Sequence, residues 1–306
     1  METLAIVKLN LRLAAVRLSV IFINLSPSKT LAIKLLIFAL AIVTMLRGVS
    51  YWRKIIRFSR LIKRSSHLLS VPAFYLAQAE NIVWVILLNE TDWAIKKHVT
   101  FENQDALRSA VDSGRGAIIL GAHYGPRIFA RLLKEKNIDT KVLVSARTDR
   151  NLKKSSRFGF PFLKTLMLDF VSENSRLFQS GKSEKKLVRY VKNGGAVFMM
   201  IDFPAYSIGG RTVDFLGAPF RFNTFAFKLA KNHDLPVFFS FLVREGSDKL
   251  RLSIRPCGAF ETPEEGLKMY AAALEAIIMH DPFNWTNLRK FCRWLDQAHD
   301  LAPIPE

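Results

Sequence analysis

Residues 114–126 read GRGAIILGAHYGP, and the fold follows from this stretch. Ala117–Gly121 is a short apolar run bounded by glycines, the pattern of a strand buried on both faces, as parallel strands are. The turn residues Gly125 and Pro126 follow, and a helix-like stretch runs on to Lys136. Strand, tight turn and helix in that order open a βαβ unit. Ligands of parallel α/β sheets gather at the carboxyl ends of the strands. His123 stands two residues past such an end, where a general base belongs. Tyr124 lies beside it, and Gly125 is read as a point of close approach for a substrate. A helix cap or a packing residue is the alternative reading of His123 taken alone.

The same alternation continues outward. Further strands are expected at Lys141–Ser145, Ala196–Ile201, Pro236–Val243 and Lys249–Arg255. The first two of these read as buried on both faces. The last alternates Leu250, Leu252 and Ile254 with Arg251, Ser253 and Arg255, so one side meets solvent. Gly246 and Asp248 mark a hairpin between the final pair. Helices are expected at Glu102–Ser113, Arg127–Lys136, Ser183–Lys192, Thr224–Asn232 and Glu264–His280. The fold class is therefore α/β, a central and mostly parallel sheet flanked by helices, preceded by an N-terminal helical segment that associates with a membrane.

Charge distribution supports that last element. The formal net charge is +19. Residues 1–79 hold twelve Lys and Arg against one acid, Glu2, while charges are mixed beyond. Within this segment Leu31–Leu46 reads LAIKLLIFALAIVTML. Sixteen helical residues span about 24 Å, short of a hydrocarbon core of about 30 Å. A spanning helix and an interfacial one both remain open, as does a buried core helix. Arg47–Arg64 follows with seven basic residues, no acid and interleaved aromatics. Trp52, Ile55, Ile56 and Ser59 share a helical face, so this stretch suits the headgroup layer of an anionic leaflet. Lys and Arg beside an apolar run place this flank on the cytoplasmic side. The chain divides into a basic, apolar segment at 1–79 and an α/β domain at 80–306. A duplex does not want an adjacent apolar run, so no nucleic-acid partner is expected despite the charge. Cys257 and Cys292 form no zinc-spaced cluster, and no metal is expected.

The block 114–125 resembles the segment leading into the histidine of the lipid A (lauroyl/myristoyl) acyltransferase family, within the wider lysophospholipid acyltransferases. Other blocks agree in order and spacing. Arg147, Asn151 and Arg157 stand where the family has an Arg…Asn…Arg run. Residues 194–202 are similar to its strand ending in Asp, here Asp202. Val213–Pro219 is similar to its Phe-Phe-Gly-X-Pro block and carries Phe215, Gly217 and Pro219. Asp281–Trp285 matches a late Pro…Trp motif. Together these blocks cover roughly residues 98–295.

The resemblance implies transfer of a fatty acyl group to a hydroxyl or amine of a lipid or glycolipid, at the cytoplasmic face of the inner membrane. The donor would be a thioester of acyl carrier protein or coenzyme A, a co-substrate, with no further cofactor. His123 would act as general base. The family follows its His with four residues and then an acid, and here that acid position is Ile128. Three outcomes stay open: Asp202 supplies the missing carboxylate, His123 works alone, or the chain is a lipid-binding relative without chemistry. Backbone amides near Gly125, or Arg127, would stabilise the oxyanion. The cations at 147–157 suit phosphates and acidic partners. Arg211, in the loop after Asp202, is read as part of a lid or as a phosphate contact, with a plain turn the alternative. Phenylalanines at 158–162 and 215–227 are candidates for an acyl slot.

Overall fold

The computed structural model describes residues 21, 23–47, 52–62, 70–90, 92–126, 128–144, 177–179, 184–204, 210–246 and 248–298. Helices α1 (Lys29–Arg47), α2 (Trp52–Leu61), α3 (Ser70–Glu90) and α4 (Asp92–His98) lead into β1 (Val99–Glu102) and α5 (Gln104–Asp112). Strand β2 (Ala117–Gly121) follows, then α6 (Phe129–Lys134), β3 (Thr140–Val144), β4 (Leu177–Gln179), α7 (Glu184–Lys192) and β5 (Ala196–Met200). A hairpin of β6 (Gly210–Phe215) and β7 (Ala218–Asn223) precedes α8 (Phe225–His233). The chain closes with β8 (Val237–Glu245), β9 (Lys249–Pro256), α9 (Pro263–His280), a 3₁₀ turn at Pro282–Asn284 and α10 (Leu288–Ala298).

Seven strands form one sheet in the order β1-β9-β8-β2-β5-β3-β4. All neighbours pair parallel except β8 and β9, which form the expected antiparallel hairpin. The α/β fold with a mostly parallel sheet is thus the one the sequence implies. Burial explains the parallel centre. Ile118 and Leu120 of β2 enter one apolar cluster, and Ala117 and Ile119 enter the other. A strand that must be apolar on both faces needs helices on both, and the crossovers supply them. One face carries α2, α7, α8, α9, α10 and the β6–β7 hairpin; the other carries α1, α4, α5 and α6.

Helix α3 serves both layers. Val71 and Phe74 join the first cluster, while Val83 and Trp84 join the second. The division expected between residues 79 and 80 therefore falls inside one continuous helix.

Two expectations about the N-terminus meet different outcomes. Helix α2 does have one apolar face, but Ile55 and Phe58 are buried in the protein core and not turned outward toward lipid. Its outer side presents Arg53, Arg57 and Arg60. Helix α1 buries Ala32, Ile33, Ile37 and Ala41 and leaves Leu31, Leu35, Phe38, Ile42 and Leu46 exposed. These recur at helical spacing, so they form an apolar ridge along one side of α1. Among the described residues Lys29–Leu46 is the one helical stretch long and apolar enough to cross a membrane, with a mean hydropathy of 2.1.

Candidate active site

Strand β2 ends at Gly121, and Ala122 carries the chain out to His123, which is 7% exposed. Strand β5, its neighbour, ends at Met200, and Asp202 stands the same two residues beyond. Parallel pairing in register, Gly121 opposite Met200, brings the two side chains to one end of the sheet. His123 Nδ1 lies 2.7 Å from Asp202 Oδ1, and the backbone N–H of His123 donates to Asp202 Oδ2 at 2.9 Å. The carboxylate thus fixes both the ring and the backbone of the same residue. A proton on Nδ1 faces the carboxylate, which leaves the lone pair on Nε2.

Asp202 is fully buried, and its remaining bonds come from the far end of the chain. Trp285 Nε1 donates to Oδ2 at 2.9 Å, and Asn287 Nδ2 donates to Oδ2 at 2.9 Å and to the backbone carbonyl at 3.1 Å. Burial pushes the carboxyl upward, but the charge of a protonated His123 and these donors outweigh it and hold it below its ordinary 3.8. An ionised carboxylate is tolerated here because Oδ1 meets His123 Nδ1 and Oδ2 accepts from three N–H donors. Thr286 ties the segment to the histidine directly, its N–H and hydroxyl both donating to the His123 carbonyl, at 2.8 and 3.0 Å. Phe203 stands edge-on to the imidazole with centroids 4.1 Å apart, and Lys290 Nζ lies 3.5 Å from the centre of the Phe203 ring.

An ion-pair cluster anchors the 281–287 segment. Arg244 of β8 bonds Asp281 Oδ2 through Nε at 3.1 Å and NH2 at 2.6 Å, and it also pairs with Glu80 of α3. Asn284 Nδ2 donates to the same Asp281 oxygen at 2.5 Å. Burial raises the Glu80 carboxyl despite the opposing pull of Arg244.

The other expected site residues separate into groups. Tyr124 is buried beside His123, bridges to Trp285 and donates its hydroxyl to the Ile277 carbonyl at 3.3 Å, so it is a wall residue. Gly125 does have a positive φ of 67°, but a Cβ there would lie 2.5 Å from the Leu242 carbonyl of β8. The close approach it permits is to that strand and not to a substrate. Its N–H donates to the Asn284 carbonyl at 3.1 Å, and the His123 N–H is held by Asp202. Both amides are therefore engaged, and Arg127, the other expected oxyanion donor, lies outside the described residues.

Ile128 is fully buried in the apolar cluster with Phe129 and Leu132. A carboxylate at this position would be desolvated, and Asp202 already holds Nδ1. Phe215 is also fully buried, packed edge-on to Trp285 at 5.7 Å and Phe291 at 5.8 Å. It supports the aromatic wall behind Asp202 and does not face a substrate. Phe220, Phe222 and Phe227 are core as well. Gly217 lies in the β6–β7 turn and Pro219 in β7, both beside α2 and α10. Arg211 donates to Glu264 at 3.1 Å in an exposed ion pair. Arg127, Arg147, Asn151 and Arg157 lie outside the described residues, as do Phe158, Phe160 and Phe162.

The sequence reading missed Asn287, Thr286 and Phe203. Nothing in local pattern marks an Asn before a helix as a carboxylate ligand. Trp285 carried a signal in its Pro…Trp block, without any indication that its indole meets Asp202. A recess lined by Ala122, Tyr124, Pro126 and Phe198 holds about 20 Å³, room for one water and not for an acyl chain. Burial pushes the thiols of Cys257 and Cys292 up to about 11, which removes both as nucleophiles. Among the described residues no group of His, Cys, Asp and Glu is gathered to hold a metal ion.

Compared with known proteins, the chain matches no family model and no curated protein.

Proposed function

We propose that this chain is a membrane-associated acyltransferase with His123 as general base and Asp202 as the carboxylate that orients it. The carrying observation is the 2.7 Å contact between His123 Nδ1 and Asp202 Oδ1 at the carboxyl end of the sheet. With Nδ1 occupied, Nε2 takes the proton from an acceptor hydroxyl or amine. The acceptor atom then attacks the carbonyl of an acyl thioester, the thiolate leaves, and the proton passes from the imidazolium to it. The buried carboxylate stabilises the imidazolium while it exists.

The donor proposed is an acyl carrier protein or coenzyme A thioester, and the acceptor a membrane lipid or glycolipid. These rest on the resemblance of the blocks around His123. The apolar ridge of α1 and the cations of α2 support attachment to an anionic leaflet, with the cytoplasmic face of the inner membrane as the proposed location. Transfer of labelled acyl from either thioester to membrane lipids tests the reading, wild type against His123→Ala. Equal transfer by the two proteins would sink it.

A second reading, a lipid-binding relative without turnover, draws on the engaged amides of His123 and Gly125, which leave no oxyanion donor at those positions. More than one turnover per purified chain excludes that reading.

A further inference from the structure

Outside the dyad, a groove of about 550 Å³ opens between α2, α10 and the β6–β7 turn. Its size is that of a small-molecule site. The floor is apolar, made by Leu61, Pro219 and Leu295 above the fully buried Phe58. The turn keeps it open because Gly217 and Ala218 have almost no side chain, and a Cβ on Gly217 would meet nothing within 4 Å. The groove is a built feature: Trp294 Nε1 donates to the Pro219 carbonyl at 3.0 Å, and Phe58 is wedged 6.2 Å from Trp285 and 6.3 Å from Phe291. No lining residue bonds to His123 or Asp202, and the Trp285–Phe291 wall stands between.

The rim is cationic. Arg57 and Arg60 lie three residues apart on α2, hence on one side of the helix. Arg57 is held by Asp296, whose other oxygen lies 3.9 Å from Lys54. Arg60 has no carboxylate partner among the described residues. Helices α2 and α10 together carry seven Lys and Arg and one acid, so the field at the groove is positive. An apolar floor under guanidinium groups is matched by neither a neutral lipid nor a plain polar anion. A neutral lipid would leave the arginines unused, and a polar anion would leave the floor wet. Arginine forks suit phosphate oxygens in particular.

We propose that this groove binds a monoacyl lipid bearing a phosphate group, with the phosphate at Arg57 and Arg60 and the chain over Leu61, Pro219 and Leu295. The site is separate from the dyad, and its occupancy does not depend on acyl transfer.

The test uses the full chain in phosphatidylcholine nanodiscs containing a photoactivatable lysophosphatidic acid, with a photoactivatable monoacylglycerol as the neutral counterpart. Crosslinked peptides are mapped by mass spectrometry. The phosphate probe is expected to label peptides covering residues 57–61, 217–219 and 292–295, at least tenfold more than the neutral probe does. The double variant Arg57→Gln/Arg60→Gln is expected to lower that labelling tenfold. Ala218→Trp, which fills the groove, is expected to abolish it; should that variant misfold, the exposed arginine pair still decides. Equal labelling by the neutral probe would overturn the proposal. So would labelling that the arginine substitutions leave unchanged, or complete displacement by inorganic phosphate, which would mean a site for the free anion.

Discussion

Trp285 donates its indole N–H to Asp202 Oδ2 at 2.9 Å, across 83 positions of sequence. An indole gives one hydrogen bond and accepts none, so Oδ2 must be an acceptor here, which favours the ionised carboxylate. The ring's faces meet Phe58, Phe215 and Phe291. The donor is therefore clamped by packing, and Asp202 is clamped through it.

Asp202→Asn tests the charge without changing the shape. An amide would present either its N–H₂ or its carbonyl to Nδ1 and favour the wrong imidazole tautomer in part of the molecules. Acyl transfer is expected to fall by roughly 10³-fold or more, as happens when a triad aspartate is made asparagine. Steady-state turnover of a labelled thioester, with folding checked by circular dichroism, measures it.

Ile128→Glu introduces the acid found in the motif that the His123 block resembles, and is expected to fail. The side chain would enter the cluster of Phe129 and Leu132, unpaired and desolvated. A loss of about 3 kcal/mol of stability follows, with no gain in turnover. The urea midpoint of the variant, set beside its transfer rate, checks both halves.

Gly125→Ala is expected to cost about 2 kcal/mol or more, because an L residue pays to hold a positive φ and the new methyl meets the Leu242 carbonyl. Relief requires the His123 loop to lift from β8, so acyl transfer should fall along with the melting temperature. A variant that melts lower but transfers normally would show that the loop and the dyad are uncoupled.

His98 gives stability a pH dependence in an accessible range. Its ring is buried against Trp84 and Trp93, with Nδ1 2.6 Å from the Asp248 carbonyl. Burial is the main influence and lowers its pKa below the ordinary 6.5; Lys97 and Lys249 push the same way, against Asp248. The unfolded chain therefore takes up the proton first. This contribution is complete above the unfolded value, shrinks as pH falls from there toward the folded value, and then levels off. Urea midpoints between about pH 8 and about pH 5 should decline for the wild type and decline less for His98→Phe.

The sheet was legible because its central strands are apolar on both faces and short, a pattern with few other solutions. Ala117–Gly121 is observed at its expected bounds, and β3, β5, β8 and β9 lie within two residues of theirs. The β6–β7 hairpin was not legible. Its two-residue loop is Leu216-Gly217, with φ of 54° and 74°. Such turns ordinarily announce themselves with Asn or Asp before the Gly, and a leucine in that conformation gives no signal. Strand β1 is four residues at the sheet edge, too short for periodicity to register. Asp202 was legible as a strand-end carboxylate, but its partners were not. Whether Asn287 reaches a carboxylate depends on where the 281–287 segment crosses the sheet, and that depends on Arg244 catching Asp281.

The bonds from Thr286 to the His123 carbonyl span 163 positions, so the dyad is finished by residues synthesised long after the histidine itself. A nascent chain ending before Trp285 has both dyad residues but lacks the indole and amide donors of the Asp202 carboxylate. Sheet strands can pair while translation continues; the reactive geometry cannot be complete until the 281–287 segment has docked. A chain interrupted before residue 285 therefore leaves a scaffold with its histidine unset.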